Sequence, residues 1–436
     1  MNVELITIMM FIFLFGLLFL GLPVALGLGS TAVLFALLLT PRTLLAAPSQ
    51  FMSTTFSAVL VTVPMFIFMG NLVRYSGIAD AAYDMAYKLI GHINGGLAMG
   101  TVVICTLFAA ITGITPPATI TMGMIAIPSM LKHNYHKSIA IGAVGAGGAL
   151  GALIPPSVPF IFYGLIAGES IGALFMGGVI PGLLLAGLYV LYIGIRCRLQ
   201  PHMGPPIQTQ EKIPWPEKIR SILVIWPFLL LIFLVLGVIW LGVATPVEAA
   251  AFGAGGALFL NLIYRRLTWR VLKESLESTV KLTAMGLWIL IGANLFISTF
   301  SALGAQEVVI KTALAMPGGR WSVLMMMMVV LLILGCVMDD WAIIMLCTPL
   351  YVPIIEALGF SKLWFGILFI INIQTAYLTP PFGFVLFWLK GIMPPGISMA
   401  DIYRSTFPFV ILQLIGLTLV ILFPQIGLWL PGTMIK

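Results

Sequence analysis

Charge is what this chain has least of: Asp, Glu, Lys and Arg make up only 8% of its 436 residues. A soluble domain carries roughly a quarter, so that class is excluded. Histidine and cysteine are equally scarce, four of each. Cys105, Cys197, Cys336 and Cys347 form no Cys-x-x-Cys pair, so spacing gives a disulfide or metal role no support. His133 and His136 stand between Lys132 and Lys137. A solvated basic loop accounts for them, because a zinc site needs two more ligands. There is no Gly-x-x-x-x-Gly-Lys-[Ser/Thr] loop, which argues against built-in ATP hydrolysis. The opening Met-Asn-Val-Glu has no basic start, and the first apolar run is too long and Pro-interrupted for a cleavable signal.

What the chain has instead is apolar length. Hydrophobic residues make up 61%, and residues 5–41, 43–73, 98–131, 138–168, 170–195, 221–247, 282–306, 363–389 and 405–435 contain no charge. About 20 apolar residues cross a bilayer as a helix, so these runs supply roughly 11 or 12 crossings or half-crossings. The fold class is an all-α polytopic membrane protein. A net charge of +7 is not a nucleic-acid footprint, since the basic residues sit in short loops. They cluster at Arg196, Arg198, Lys212, Lys218 and Arg220, and again at Arg265, Arg266, Arg270, Lys273 and Lys281. Two spans, about 221–243 and 246–264, separate the clusters and put both on one side, which the positive-inside rule makes cytoplasmic.

The chain also carries one pattern twice. Asn71 recurs as Asn294 and Gly95-Gly96 as Gly318-Gly319, both 223 positions on. Pro128 recurs as Pro353 and Pro155-Pro156 as Pro380-Pro381, both 225 positions on, so a single two-residue insertion reconciles the copies. Duplicated halves with interrupted apolar segments in matching places point to a secondary transporter and to its binding site. The expected halves are 1–199 and 221–436, joined by a Pro-rich cytoplasmic surface linker at 200–220. Residues 77–92, 265–281 and 303–316 are amphipathic and read as interfacial helices, candidate arms between a fixed and a mobile part. Thr245-Pro-Val-Glu248 reads as a helix start with a capping box, which makes Glu248 structural.

Chemistry is expected at the interruptions. Residues 98–131 are too long for one perpendicular span and short for two, and their centre is Thr112-Gly-Ile-Thr-Pro-Pro-Ala-Thr119. Two prolines do not fit a helix interior. A re-entrant hairpin resolves both problems, with its tip buried in protein. Tip carbonyls and the hydroxyls of Thr112, Thr115 and Thr119 are hard oxygen ligands suited to Na⁺, and half-helix N-termini favour an anionic substrate. The second hairpin, about 321–358, breaks at Gly335-Cys-Val-Met-Asp339-Asp340-Trp341. An acid near mid-membrane costs about 2.5–3.5 kcal/mol on insertion scales, so Asp339 and Asp340 are functional candidates that double as helix caps. Each hairpin precedes a broken span, about 138–168 and 363–390. The unwound backbone before each Pro-Pro is expected to face its hairpin tip, giving two cation sites around one substrate cavity. The glycines of 142–151 read chiefly as packing, and the Met325–Met328 run as lipid-facing or packing surface.

At these residues the chain resembles the large, DctM-type membrane subunit of tripartite ATP-independent periplasmic (TRAP) transporters, nearly end to end. The stretches that carry it are Val63-Pro-Met-Phe-Ile-Phe-Met-Gly-Asn-Leu72 with Ser76-Gly-Ile78, Leu153-Ile-Pro-Pro-Ser157, Met338-Asp339 and Leu378-Thr-Pro-Pro-Phe-Gly383. The resemblance implies an elevator-type transporter of inverted repeats in the bacterial inner membrane, with uptake driven by Na⁺ as coupling ion and no other cofactor. It also implies two partners, a small four-helix membrane subunit and a periplasmic substrate-binding protein. By position it points to Thr112, Gly113, Thr115, Pro155 and Ser157 for one ion site, and to Asp339, Ala376 and Thr379 for the other. Thr119, Asp340 and Gln374 complete the candidate ion and substrate set. The first tip departs from the family pattern, commonly Ser-Gly-Ser followed by small residues and Asp: here the second serine and the acid have no match. The Gln374-Thr-Ala-Tyr-Leu-Thr-Pro-Pro-Phe-Gly-Phe384 wording is similar to a branch linked with 2-oxo acids and other monocarboxylates.

Two rivals remain at this point. One is a stand-alone ion-coupled anion transporter of the same architecture, told apart by whether a soluble binding protein is required. The other is a membrane-embedded enzyme, which needs a nucleophile–base pair or a metal constellation. No histidine lies inside a span and the mid-membrane acids are adjacent, so the residues give an enzyme no such pair.

Overall fold

The computed structural model describes residues 2–207, 214–381 and 383–435; Lys212 and Phe382, both used above, lie outside them. In the first half the helices are α1 (Val3–Phe19), α2 (Val24–Leu39), α3 (Arg42–Thr55), α4 (Thr62–Tyr75) and α5 (Ile78–Ile90). They continue as α6 (Gly96–Thr112), α7 (Thr115–Lys132), α8 (Lys137–Ala149), α9 (Val158–Ala167) and α10 (Ile171–Leu199). The second half holds α11 (Trp215–Trp240), α12 (Pro246–Ile263), α13 (Trp269–Ala302), α14 (Ala305–Leu314) and α15 (Gly319–Gly335). After these come α16 (Asp340–Ala357), α17 (Lys362–Ala376), α18 (Phe384–Ile392), α19 (Met399–Leu422) and α20 (Gln425–Gly432). No strand occurs among the described residues.

Seven of these helices are long and apolar enough to cross a membrane. Other apolar helices, α6, α8, α15 and α17 among them, are shorter. Those four are the arms that the sequence interrupts with Gly and Pro. Helices α6 and α15 have 17 residues each, α7 and α16 have 18. The first tip is Gly113-Ile114, and the second is Cys336-Val-Met-Asp339. The two-residue insertion therefore sits in the second hairpin tip. The Pro-Pro bonds of the two broken spans, Pro155–Pro156 and Pro380–Pro381, are cis.

Two expectations need correction. Residues 265–281 are not a separate interfacial helix: Trp269–Ala302 is one helix of 34 residues. No proline interrupts it, and at 1.5 Å per residue it runs roughly 50 Å, well past a hydrocarbon core of about 30 Å. Its charged residues, Arg270, Lys273, Glu274, Glu277 and Lys281, all lie towards its N-terminal end. Nor does the surface linker extend to 220, and its described first part is pinned to the first half. The Gly95 N–H donates to Gly204 O (2.8 Å), the Ile207 N–H to Gly91 O (2.9 Å) and the His136 N–H to Met203 O (3.0 Å), and α11 already begins at Trp215.

Buried amides lock the outer helices together. Asn71 Nδ2 donates to Thr279 Oγ1 (3.2 Å), Ser278 Oγ to Asn71 Oδ1 (3.4 Å) and Asn261 Nδ2 to Leu72 O (3.0 Å), tying α4 to α12 and α13. Gly292 of α13 packs on the Ala25 carbonyl of α2, where a small residue lets two helices approach. The Met325–Met328 run divides, with Met325 half exposed and Met327 and Met328 buried. The capping box is present as read. Thr245 N–H donates to Glu248 Oε2 (2.7 Å) and Glu248 N–H to Thr245 Oγ1 (3.3 Å). Thr245→Ala is expected to cost about 1 kcal/mol, seen as a lower melting temperature; an unchanged melt would contradict it.

Candidate functional site

The first hairpin turns where the sequence permits it. Gly113 ends α6 with φ +65°, a left-handed conformation that glycine adopts without a Cβ penalty. Ile114 is extended, and Pro116 and Pro117 fall in the first turn of α7, where a missing N–H costs nothing. The broken span lies directly on this tip. Gly113 O accepts from the Val158 N–H at 3.0 Å, and Gly113 itself packs on the Pro156 carbonyl. Gly151 packs on Ile114 and Thr115. The hydroxyls here donate to backbone: Thr112 Oγ1 to Phe108 O (2.9 Å) and Ile114 O (3.2 Å), Ser157 Oγ to Ala152 O, and Thr119 Oγ1 to Thr115 O (3.1 Å). A hydroxyl that gives up its proton in this way keeps lone pairs for a cation.

The second hairpin has the same plan with acids in it. Asp339 holds the N-cap position of α16 in an extended conformation without a capping bond, and Asp340 is the first helical residue. Asp340 is thus the counterpart of Thr115, each opening the returning arm. Gly335 packs against Ala376 at the end of α17. Thr379 Oγ1 donates to Thr375 O at 2.8 Å. Beside them the Tyr377 hydroxyl lies within hydrogen-bonding reach of both Asp340 and Thr115.

A cavity of about 880 Å³ opens between the two tips, the start of α2 and the middle of α13. Thr115, Asp339, Asp340 and Tyr377 line it. Thr112, Gly113, Pro155, Ser157, Ala376 and Thr379 belong to the tips and breaks but do not line it, and Thr119 is buried against Gly148. Gln374 is elsewhere. It is buried beside Tyr189 of α10, which also faces Gln413 of α19. The starts of α2, α7, α9, α16 and α18 all reach the cavity wall, through Val24, Thr115, Pro159, Asp340 and Phe384. Their N-terminal dipole ends favour negative charge there.

Tyr377 and the wall tryptophans Trp288, Trp341 and Trp388 were missed from sequence. For Tyr377 a signal existed, since it is a polar aromatic inside the interrupted stretch before Leu378-Thr-Pro-Pro. Tyr377→Phe removes only the hydroxyl between Asp340 and Thr115. A hydrogen bond to a charged group is worth about 1.5–3 kcal/mol, so Tyr377→Phe is expected to lower the melting temperature of the purified protein. An unchanged melting temperature would remove Tyr377 from the site.

Two hairpins and two broken helices, converging on one cavity inside a multi-pass helical membrane protein, define a secondary transporter. The family model described as the DctM component of the tripartite ATP-independent periplasmic transporter matches residues 11–426. The chain belongs to that family, and it is accordingly a protein of the inner membrane. It is 30% identical to the C4-dicarboxylate TRAP transporter large permease protein DctM of Vibrio cholerae, over 97% of each chain. It is 31% identical to the sialic acid large permease SiaM of the same organism, over 95% of this chain and 96% of that one. It is also 31% identical to the ectoine large permease TeaC of Halomonas elongata, over 97% and 98%. Among solved structures, the MtrF protein of Neisseria gonorrhoeae superposes with a TM-score of 0.65 at 14% identity, over 89% of this chain and 84% of that one. The YdaH transporter of Alcanivorax borkumensis gives 0.62 at 14% identity, over 90% and 89%. These two likenesses concern the fold alone.

Proposed function

We propose that this chain is the transport subunit of a Na⁺-driven system that takes up a small organic carboxylate across the bacterial inner membrane. It works with a small membrane subunit and a periplasmic binding protein. The observation that carries the reading is the meeting of both hairpin tips at one cavity, with Thr115, Asp339, Asp340 and Tyr377 on its wall. Na⁺ ions bind at the tips, and the solute binds in the cavity they border. The relatives named for C4-dicarboxylates, sialic acid and ectoine are all permeases for organic solutes, which favours the same class of cargo here. The hairpins and broken helices form the mobile unit, and α1–α5 with α11–α14 form the frame it moves against.

The energetics suffice. One charge moving through 100 mV releases about 2.3 kcal/mol, and a thousandfold solute gradient costs about 4.1 kcal/mol. Two or three entering Na⁺ drive that accumulation even for an anion. The test is uptake into proteoliposomes containing both membrane subunits, with the binding protein outside. Uptake is expected under an inward Na⁺ gradient and should stop when K⁺ replaces Na⁺. Uptake by this chain without the other two components would reject the tripartite arrangement, and Na⁺-independent uptake would reject the coupling.

A further inference from the structure

The cavity has a chemistry that the function above does not specify. No Lys, Arg or His lines it among the described residues. Its charged groups are Asp339 and Asp340, and its polar ones include Thr115, all at or beside the hairpin tips, and the Tyr377 hydroxyl at the second broken span. Away from the tips the wall is aromatic and aliphatic. Trp388 and Phe384 come from α18, Trp288 and Met285 from α13, and Trp341, nearly buried and edge-on to Phe162 at 5.3 Å, from α16. The volume falls within the usual range for a small-molecule site, roughly 300–1,000 Å³.

Resting on the transport reading above, we propose that the cargo is a monocarboxylate with an apolar, ring-sized or branched body. Its carboxylate sits at the hairpin tips, near the starts of α7 and α16 and the Na⁺ held there. Its body lies against Trp288, Trp388 and Phe384. The lining of the cavity works against a second acid group. A further carboxylate would lie against tryptophan and methionine with no cationic side chain to meet it, so it would give up water without gaining a partner. A polyhydroxylated acid would leave its hydroxyls without partners on the same wall, which is also unfavourable. In this respect the cavity departs from the dicarboxylates for which several relatives are named.

The test is direct binding to the purified full chain in nanodiscs at saturating Na⁺, read by tryptophan fluorescence and by thermal shift. The probes are 3-phenylpropanoate, 4-methylpentanoate, succinate and gluconate. The two apolar monocarboxylates are expected to bind at least tenfold tighter than the other two. Trp288→Ala and Trp388→Ala should each weaken 3-phenylpropanoate binding about fivefold or more. Succinate or gluconate binding equally well, no binding by either apolar probe, or tryptophan variants with unchanged affinity would each overturn the proposal. If Na⁺ alone still raises the melting temperature in those cases, only the cargo class falls. If Na⁺ gives no rise either, the transport reading beneath it falls too.

Discussion

Asp340→Asn is expected to lower Na⁺-driven uptake at least about 100-fold while the protein still inserts and folds. Asp340 opens α16, borders the cavity and faces the Tyr377 hydroxyl, yet no basic side chain lines that cavity among the described residues. An ionised carboxylate without such a partner has a cation as its natural counter-charge. Hydrogen bonds to charged groups contribute about 1.5–3 kcal/mol, and loss of a full charge at a cation site belongs at the upper end, about two orders of magnitude in affinity. The amide keeps a carbonyl oxygen of the same shape at the same helix start. It also removes a charge whose burial is unfavourable without a counter-ion. The melting temperature in K⁺ is therefore expected to hold or rise, and the increase given by Na⁺ to shrink. Uptake within twofold of the native protein would show that Asp340 is merely a helix-start residue.

Gly113→Ala is the second large effect, and it acts through backbone. Gly113 has φ +65°, and an added Cβ would run into the Pro156 carbonyl, which cannot swing away as a flexible side chain can. Gly168, at the end of α9, has the same φ of +65° with nothing within 4 Å of its added Cβ. Each substitution carries the left-handed penalty, about 1–2 kcal/mol. Only Gly113→Ala also separates the first hairpin tip from its broken span and disturbs the bond from the Val158 N–H to Gly113 O (3.0 Å). Gly168→Ala is expected to lower the melting temperature modestly and retain uptake. Gly113→Ala is expected to lose uptake more than tenfold. Equal effects at the two sites would mean that the tip contact is unimportant.

Much of this arrangement was legible in the sequence because breakers act locally. Gly95, Gly113, Pro116-Pro117, Pro155-Pro156 and Pro380-Pro381 fix where helices stop, and the helix ends fall there. The repeat offsets even announced the longer second tip. Other features depend on what packs against what, which no local pattern reports. Residues 265–281 look interfacial because their charges follow a helical period, but nothing at 282 stops the helix, so it runs on to Ala302. The segment after Gln200 reads as a surface linker because its prolines and polar residues suit a surface. Its pairing with Gly91 and Gly95 uses only backbone groups. Gln374 lies one turn from Tyr377, yet over that turn the neighbours change from the hairpins to α10 and α19. The tryptophan wall draws on α13, α16 and α18, segments brought together only by the fold.

The measurement closest to the central claim is a Na⁺ titration of thermal stability in the purified full chain, with K⁺ holding ionic strength constant. Each occupied site adds stability as the logarithm of Na⁺ over its Kd. If both hairpin tips hold Na⁺, native protein should melt higher in Na⁺ than in K⁺. Thr115→Ala and Asp340→Asn should each remove part of that rise, and the double variant should remove nearly all of it. A melting curve indifferent to Na⁺, or a rise that survives both substitutions, would contradict two cation sites at the hairpin tips.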